Sequence, residues 1–380
     1  MIYKFSAPLP YNIEDINKLF KINNYIKKSQ ITSLYFALPE NCDYTSGFEQ
    51  KRNFSLEHKD WEYWKFLISY VIKNGYDFIY LLNSTQPLTI KNKKIEKLDR
   101  LLNELNNLGV NKLRVGSLQL ASYLSRKYKE FQIFASTALE YKSIAEYQNL
   151  LHFHKEIKQI VPSHDTNKNF RLLKNLKKLY PNLEIELMVN EGCMYACPHR
   201  MIHEMYASQR IDLQQENIFF SPAMYCSNYC NHFSDKHPFE SLALAKNIYP
   251  WEIEEYSNIG INNFKLVGRD GSKYSTGPYI KGYELYLRSV DNYKMYINEK
   301  ITTFIHHLMG VRELDSLKIK EIITVLPKIE HFKKYGHLCA SRCGVDCKYC
   351  YKCAEKIQKV FDKKQKVLQN GNISVCVINK

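Results

Sequence analysis

The chain has 380 residues, 45% of them hydrophobic, enough for one large core or two modest ones, which excludes a disordered or fibrous protein. Lys and Arg (54) exceed Asp and Glu (39) by 15, a balance that suits acidic partners such as nucleic acid, phosphates or carboxylates, although a Lys-, Asn-, Ile- and Tyr-rich composition also arises without functional pressure. No apolar run reaches the roughly 20 residues that span a bilayer, and the start, MIYKFSAPLP, lacks the basic-then-apolar order of a secretion signal, so a cytoplasmic protein without a membrane partner is expected.

Short β-rich runs alternate with amphipathic stretches from the first residues onward. The predicted strands are Tyr3 to Ala7, Ile31 to Ala37, Phe78 to Leu82, Lys112 to Val115, Gln132 to Ala135, Gln159 to Val161, Glu184 to Val189 and Asn263 to Val267. Helices are predicted at Ile13 to Lys27, Trp61 to Lys73, Ile95 to Leu108, Gln119 to Lys127, Lys142 to Leu151 and Asn169 to Leu179, each with apolar residues three and four apart. Eight such units fit a (β/α)8 barrel of about 250 residues better than an open doubly wound sheet, and no glycine-rich turn follows the first strand. A long loop from Asn190 to Asn262 separates strands seven and eight, far beyond the two to six residues usual there. The expected division is a barrel catalytic domain over 1–299 and a helical, cysteine-rich C-terminal appendage over 300–380. The last 80 residues of that appendage carry 15 Lys or Arg against 7 Asp or Glu.

Eleven cysteines in a reducing cytosol are not a disulfide framework, so they call for metal or catalysis. Cys193 and Cys197 follow strand seven, and Cys226 and Cys230 lie in the same loop, at the C-terminal end where barrel active sites are built. Two C-x3-C pairs supply four thiolates, the complement of a 4Fe-4S cluster or a structural zinc; the wide spacing favours iron and sulfur over tight zinc knuckles. Cys42, after strand two, competes for one of these places. A second group, Cys339, Cys343, Cys347, Cys350 and Cys353, puts five thiols within fifteen residues. Cys343, Cys347 and Cys350 match the C-x3-C-x2-C of radical S-adenosylmethionine enzymes, but too few residues follow to build that fold. Four of the five suit a second 4Fe-4S cluster or a zinc, with Cys353 left out; Cys376 reads as a core residue.

His199 and His203 are four apart, the spacing of one helix face, beside Glu204. Ala207 stands where a zinc peptidase of the H-E-x-x-H type needs its second ligand, so the pair reads as capping, packing or substrate-binding. Arg269, just past strand eight, has the guanidinium fork for a substrate carboxylate or phosphate, with a rim ion pair to Asp270 as the alternative. Asn190 and Glu191 end strand seven, and His164 and Asp165 follow strand six, polar groups suited to orienting a substrate. No G-x-S-x-G elbow or phosphate loop is present.

The run ELMVNEGCMYACPHRMIHEMYAS, Glu186 to Ser208, resembles the signature of the collagenase-like peptidase family, as does PWEIEEYSNIGINNFKLVGRD, Pro250 to Asp270. A looser likeness runs through VGSLQLASYL, FQIFASTALEY and VPSHDTNKNFRLLKNL, and the tail from Cys347 to Lys356 looks like that of some members. The resemblance implies a barrel holding a 4Fe-4S cluster. In the UbiU/UbiV-like and RNA-hydroxylating branches it also implies oxygen-independent hydroxylation with prephenate as oxygen donor. Cys193 and Cys197 match the family's paired cysteines, while the compact pairs and the second cysteine group depart from those branches. The leading expectation is an iron–sulfur hydroxylase-type redox enzyme, with Arg269, His199, His203 and Glu191 as its catalytic-site residues and RNA, a small biosynthetic molecule or a peptide as substrate. The basic tail and the 48 Tyr and Phe residues suit RNA, through phosphate contacts and base stacking. The alternatives are a peptidase or other hydrolase, and a non-catalytic iron–sulfur subunit working with a partner of the same family.

Overall fold

Every predicted β run becomes a strand, and the eight pair in sequence order into a closed parallel barrel. The computed structural model describes residues 2–37, 60–85, 92–191, 195–201, 243–244, 246–267, 277–299 and 316–370. The strands are β1 (Tyr3–Pro8), β2 (Ser29–Phe36), β3 (Asp77–Leu82), β4 (Lys112–Val115), β5 (Gln132–Ala135), β6 (Ile157–Ile160), β7 (Glu184–Met188) and β8 (Asn263–Lys265). Most read as continuous apolar runs because the barrel covers one face and the helices the other; β3, DFIYLL, is buried from its second residue onward. Closure is made by β1 on β8, where Phe5 pairs with Phe264 and their rings stack at 5.4 Å.

Between the strands lie α1 (Ile13–Ile22), α2 (Trp61–Lys73), α3 (Asn92–Asn107), α4 (Leu118–Lys127), α5 (Ile144–Phe153), α6 (Phe170–Leu179), α7 (Ile253–Ser257) and α8 (Gly277–Glu299). Their starts are fixed locally: Asn12, Asp60, Ser143 and Asn169 each accept a first-turn N–H, and Ser143 with Glu146 closes a capping box. Helix α1 stops at Ile22 instead of running to Lys27. The Asn23 side chain there turns to bond both the N–H and the carbonyl of Ile31, at 2.8 and 2.9 Å, tying the helix end to β2. Strand β6 starts at Ile157 rather than Gln159, since Ile157 already pairs with Ile133. Gly116 is required after β4, where a Cβ would meet the Asn83 carbonyl oxygen at 2.4 Å.

The N-terminal end of the barrel is plugged by polar residues. Buried Arg114 reaches Glu186 Oε2 at 2.6 Å and donates to Gln159 Oε1 at 2.7 Å, and Gln159 donates to Glu184 at 2.9 Å. A cavity of about 80 Å³ lies there, lined by Lys4, Ser6, Asp77 and Lys112 among others. Such a network pairs charges that would be costly to bury singly, at the end of the barrel opposite the C-terminal mouth.

The tail folds as α9 (Ser316–Val325), α10 (Ile329–Tyr335), α11 (Cys339–Arg342) and α12 (Tyr349–Asn370), helical as expected and carrying the second cysteine group. It rests on the barrel beside α6 and α7. Lys333 pairs with Glu255 at 2.8 Å, and Gly336 sits so close that a Cβ would lie 1.9 Å from the Lys168 carbonyl oxygen. Among the described residues no helix is long and apolar enough to cross a membrane.

Candidate functional site at the barrel mouth

The loops after β5, β6 and β7 meet in a compact charge network. After β5 a short 3-10 turn ends in Glu140, whose left-handed backbone (φ 53°) turns its carboxylate to accept from Ser163 Oγ at 2.7 Å. Asp165, after β6, pairs with Lys142 at 2.8 Å and with Arg200 at 2.7 Å, while Arg200 also approaches Glu140 at 3.4 Å. Burial by itself pushes the Asp165 carboxyl up, but Arg200 and the Lys142 contact overcome it and hold the group below its usual value. The other Asp165 oxygen accepts the Ala196 N–H at 3.0 Å, and Ala196 takes a left-handed turn at φ 51°. Residues 195–201, which include Cys197, are thereby clamped onto the strand ends. Among the described residues the network sets two carboxylates against two cations.

Two buried polar groups near these strand ends have no hydrogen-bond partner among the described residues, His164 Nε2 and the Asn247 side-chain amide. Burial, and then Arg200, depress the His164 pKa, so its imidazole is neutral at pH 7. Asn190 is committed elsewhere: its amide donates to the Val267 carbonyl at 2.6 Å and accepts the Val267 N–H at 2.7 Å, locking the ends of β7 and β8 together.

The tail cysteines lie beside this mouth. Cys343 and Cys347 bridge across a tight turn in which Gly344 takes φ +81°, donates its N–H to the Cys347 carbonyl at 2.9 Å, and leaves the Cys347 N–H bonded to Arg342 O at 3.0 Å. His331 Nε2 stands 3.8 Å from Cys347 Sγ, its ring stacked on Tyr349 at 3.7 Å. Burial raises the thiols of Cys339 and Cys343 and pushes Cys350 up to about 12. Burial raises the Cys353 thiol as well, and the nearby Tyr349 hydroxyl offsets part of that rise. From the barrel side Lys246, only 1% exposed, sets its ammonium 4.6 Å from the Tyr195 ring and 4.9 Å from the Phe332 ring. Among the described residues no three His, Cys, Asp or Glu side chains already converge as a metal site. The donor set of four thiols and an imidazole nevertheless suits a soft metal or an iron–sulfur cluster. Cys197, half-buried on the clamped loop, suits a cluster ligand at the mouth.

A protein of Methanocaldococcus jannaschii, named uncharacterized protease MJ1657, is 23% identical over 353 residues, covering 92% of this chain and 95% of its own. This likeness supports the resemblance to the collagenase-like (U32) peptidase family read from the sequence. No protein-family model matches it. Among solved structures, that of the U32 peptidase Mk0906 gives a TM-score of 0.45 at 11% identity, over 70% of this chain and 93% of the other. CdNal from Clostridium difficile, in complex with mannosamine, gives 0.39 at 11% identity, over 96% and 99%. The barrel itself is established by its own strand pairing.

The expected site residues divide as follows. Glu191, Cys197 and His199 are described at the mouth, and Cys339, Cys343, Cys347 and Cys350 are gathered beside it. Cys42, Cys193, His203, Cys226, Cys230, Arg269 and Cys376 lie outside the described residues. Sequence reasoning missed Arg200, Lys246 and His331. Arg200 is buried within the first signature run, Glu186 to Ser208, and Lys246 lies just before the second, Pro250 to Asp270, two charged residues that periodicity assigns to the surface. A charged residue inside a signature that offers no helix face to place it on was the available signal.

Proposed function

We propose that this chain is an iron–sulfur redox enzyme of the oxygen-independent hydroxylase type, with its chemistry at the C-terminal mouth of the barrel. One observation carries the reading: the loop bearing Cys197, which also leads from Cys193, is fastened to the strand ends by the Asp165–Ala196 hydrogen bond and the Asp165–Arg200 pair. A loop that merely covered the barrel would not need a buried, charge-paired clamp, whereas cluster ligands must be held still. Cys193, Cys197, Cys226 and Cys230 would hold the cluster, which supplies electron transfer when bound. His164 and Asn247 offer buried polar atoms to a substrate, and Arg269 is the proposed anchor for its anionic group. The substrate class proposed is RNA or a small biosynthetic molecule, with prephenate as the oxygen donor.

The test is iron, acid-labile sulfide and zinc per chain after strictly anaerobic purification, on the full chain and on a Cys193→Ser, Cys197→Ser variant. About four iron atoms with matching sulfide, lost in the variant, are expected. Zinc without sulfide, or iron unaffected by the variant, would overturn the reading and turn attention to hydrolysis.

A further inference from the structure

The interior of a (β/α)8 barrel is ordinarily filled by bulky branched apolar side chains. At the N-terminal end of this one the lining is polar instead. Lys4 and Ser6 of β1, and Glu184 and Glu186 of β7, stand two apart and so on one side of their strands, and all four line the same cavity. Phe5, between Lys4 and Ser6, sends its ring the other way, to meet that of Tyr286 on α8 at 6.0 Å. Lys112 of β4 and Asp77 of β3 complete the charged lining. Well-packed apolar residues often serve stability as well as buried ion pairs do, so stability does not account for this choice of side chains.

Much of that polarity is used up within the wall. Lys112 pairs with Asp77, Glu184 accepts from Gln159 at 2.9 Å, and Arg114 pairs with Glu186 Oε2 at 2.6 Å. Ser6, Glu186 and Lys4 are left with capacity to spare. Ser6, which lines the cavity, is 2% exposed, and its hydroxyl has no hydrogen-bond partner among the described residues. A buried hydroxyl left in that state costs stability until something bonds it. Glu186 is engaged by Arg114 through one oxygen only. Lys4, exposed at the rim, makes no ion pair among the described residues.

The strand register brings these groups together. Lys4 lies opposite Asn263, and Asn263 opposite Glu186, so an ammonium, an amide and a carboxylate stand in one row across β1, β8 and β7, with Ser6 one step further into the barrel. Lys4 and Glu186 are two strand spacings apart, about 10 Å between backbones. The charges of the lining, taken with Arg114, cancel: Lys4, Lys112 and Arg114 against Asp77, Glu184 and Glu186. A ligand with a net charge would leave one charge uncompensated, whereas a neutral molecule with a positive and a negative end matches both of the groups to spare. At roughly 10–15 Å³ for each water-sized occupant, the cavity of about 80 Å³ holds about five to eight, the size of a small amino acid.

We propose that the N-terminal end of the barrel is a binding site for a small zwitterion of the α-amino acid type, its ammonium held by Glu186 and the Ser6 hydroxyl and its carboxylate by Lys4. The rim residues Lys4, Asp77 and Glu184 are exposed, so the site is reached from solvent at that end. It lies opposite the mouth, and the inference therefore does not depend on the proposed function. The experiment is equilibrium dialysis of radiolabelled L-serine against the full chain, native and as Ser6→Ala and Lys4→Met. Ethanolamine, glycolate and glycerol serve as competitors that carry the ammonium alone, the carboxylate alone and neither.

One L-serine per chain is expected to bind saturably at millimolar concentration or below, with each competitor about tenfold weaker or worse for want of a charge-assisted hydrogen bond. Ser6→Ala should weaken serine by about tenfold, the size of one lost hydrogen bond to a charged group. The same variant should leave the thermal unfolding temperature of the ligand-free chain unchanged or higher, because it removes a hydroxyl that the free chain does not satisfy. Lys4→Met, at an exposed position, should weaken serine several-fold. No saturable binding of serine, or a competitor that matches it, would overturn the zwitterion site. Native affinity in Ser6→Ala would place serine elsewhere on the chain, and native affinity in Lys4→Met would overturn the assignment of the carboxylate end.

Discussion

The two cysteine-bearing regions sit side by side and handle charge in opposite ways. At the mouth, among the described residues, Glu140 and Asp165 face Lys142 and Arg200, so the clamp on the Cys197 loop pairs carboxylates with cations. At the tail, the buried ammonium of Lys246 makes no hydrogen bond among the described residues and lies against the Tyr195 and Phe332 rings. A charge-paired network fixes a backbone. The mouth clamp therefore holds the Cys197 loop by ion pairs, whereas the tail side leaves its buried cation to aromatic faces.

Breaking the balance at the mouth should have the largest effect. Arg200→Met leaves Asp165 and Glu140 with the half-exposed Lys142 as their one cation among the described residues, and a loss of about 3 kcal/mol in urea-unfolding stability is expected. Unchanged stability would mean that the clamp is not closed in solution. Gly336→Ala attacks the contact between the regions, because the added Cβ would overlap the Lys168 carbonyl and neither backbone gives way easily. A cost of about 1–3 kcal/mol is expected, with faster proteolysis of the tail in a limited digest. Equal digestion rates would remove the close contact from the docking interface.

Acid titration separates the regions further. The His164 pKa is depressed in the folded chain, so its contribution to stability is present above the ordinary histidine value of 6.5 and is lost as pH falls through the depressed folded value. Asp165, also depressed, adds a second loss below the ordinary aspartate value of 3.8. Unfolding measured against pH should show the first step vanish in His164→Gln and the second weaken in Asp165→Asn. A pH profile identical to native in His164→Gln would place that imidazole in water. The smallest effect is expected from Cys353→Ala, which should leave metal content unchanged, since the Tyr349 hydroxyl already lies near that thiol. Loss of metal would bring Cys353 into the ligand set in place of one of the four.

Much of this was legible in order along the chain. Strands β4 and β5 run over the predicted residues because a barrel strand is buried on both faces and its apolar run has sharp ends. The cysteine groups stand out by spacing, and the tail group falls on the turn between α11 and α12 and on their flanks. Helix α1 was read too long because the Asn23 contact that stops it involves Ile31, across a turn that periodicity does not encode.

What the chain order by itself determined is the barrel, its long loop after β7, the helical cysteine-rich tail and the family signature. These follow from local patterns of burial and chemistry. Only the tertiary structure decided that Arg200 closes a clamp on Asp165, that Gly336 lets the tail lie against the Lys168 carbonyl, and that Lys246 ends buried against the Tyr195 and Phe332 rings. A charged side chain reads as solvent-exposed until distant segments close around it. Electrostatic pairing across 35 residues, as for Asp165 and Arg200, is set by where the strands place the loops and not by any neighbouring residue.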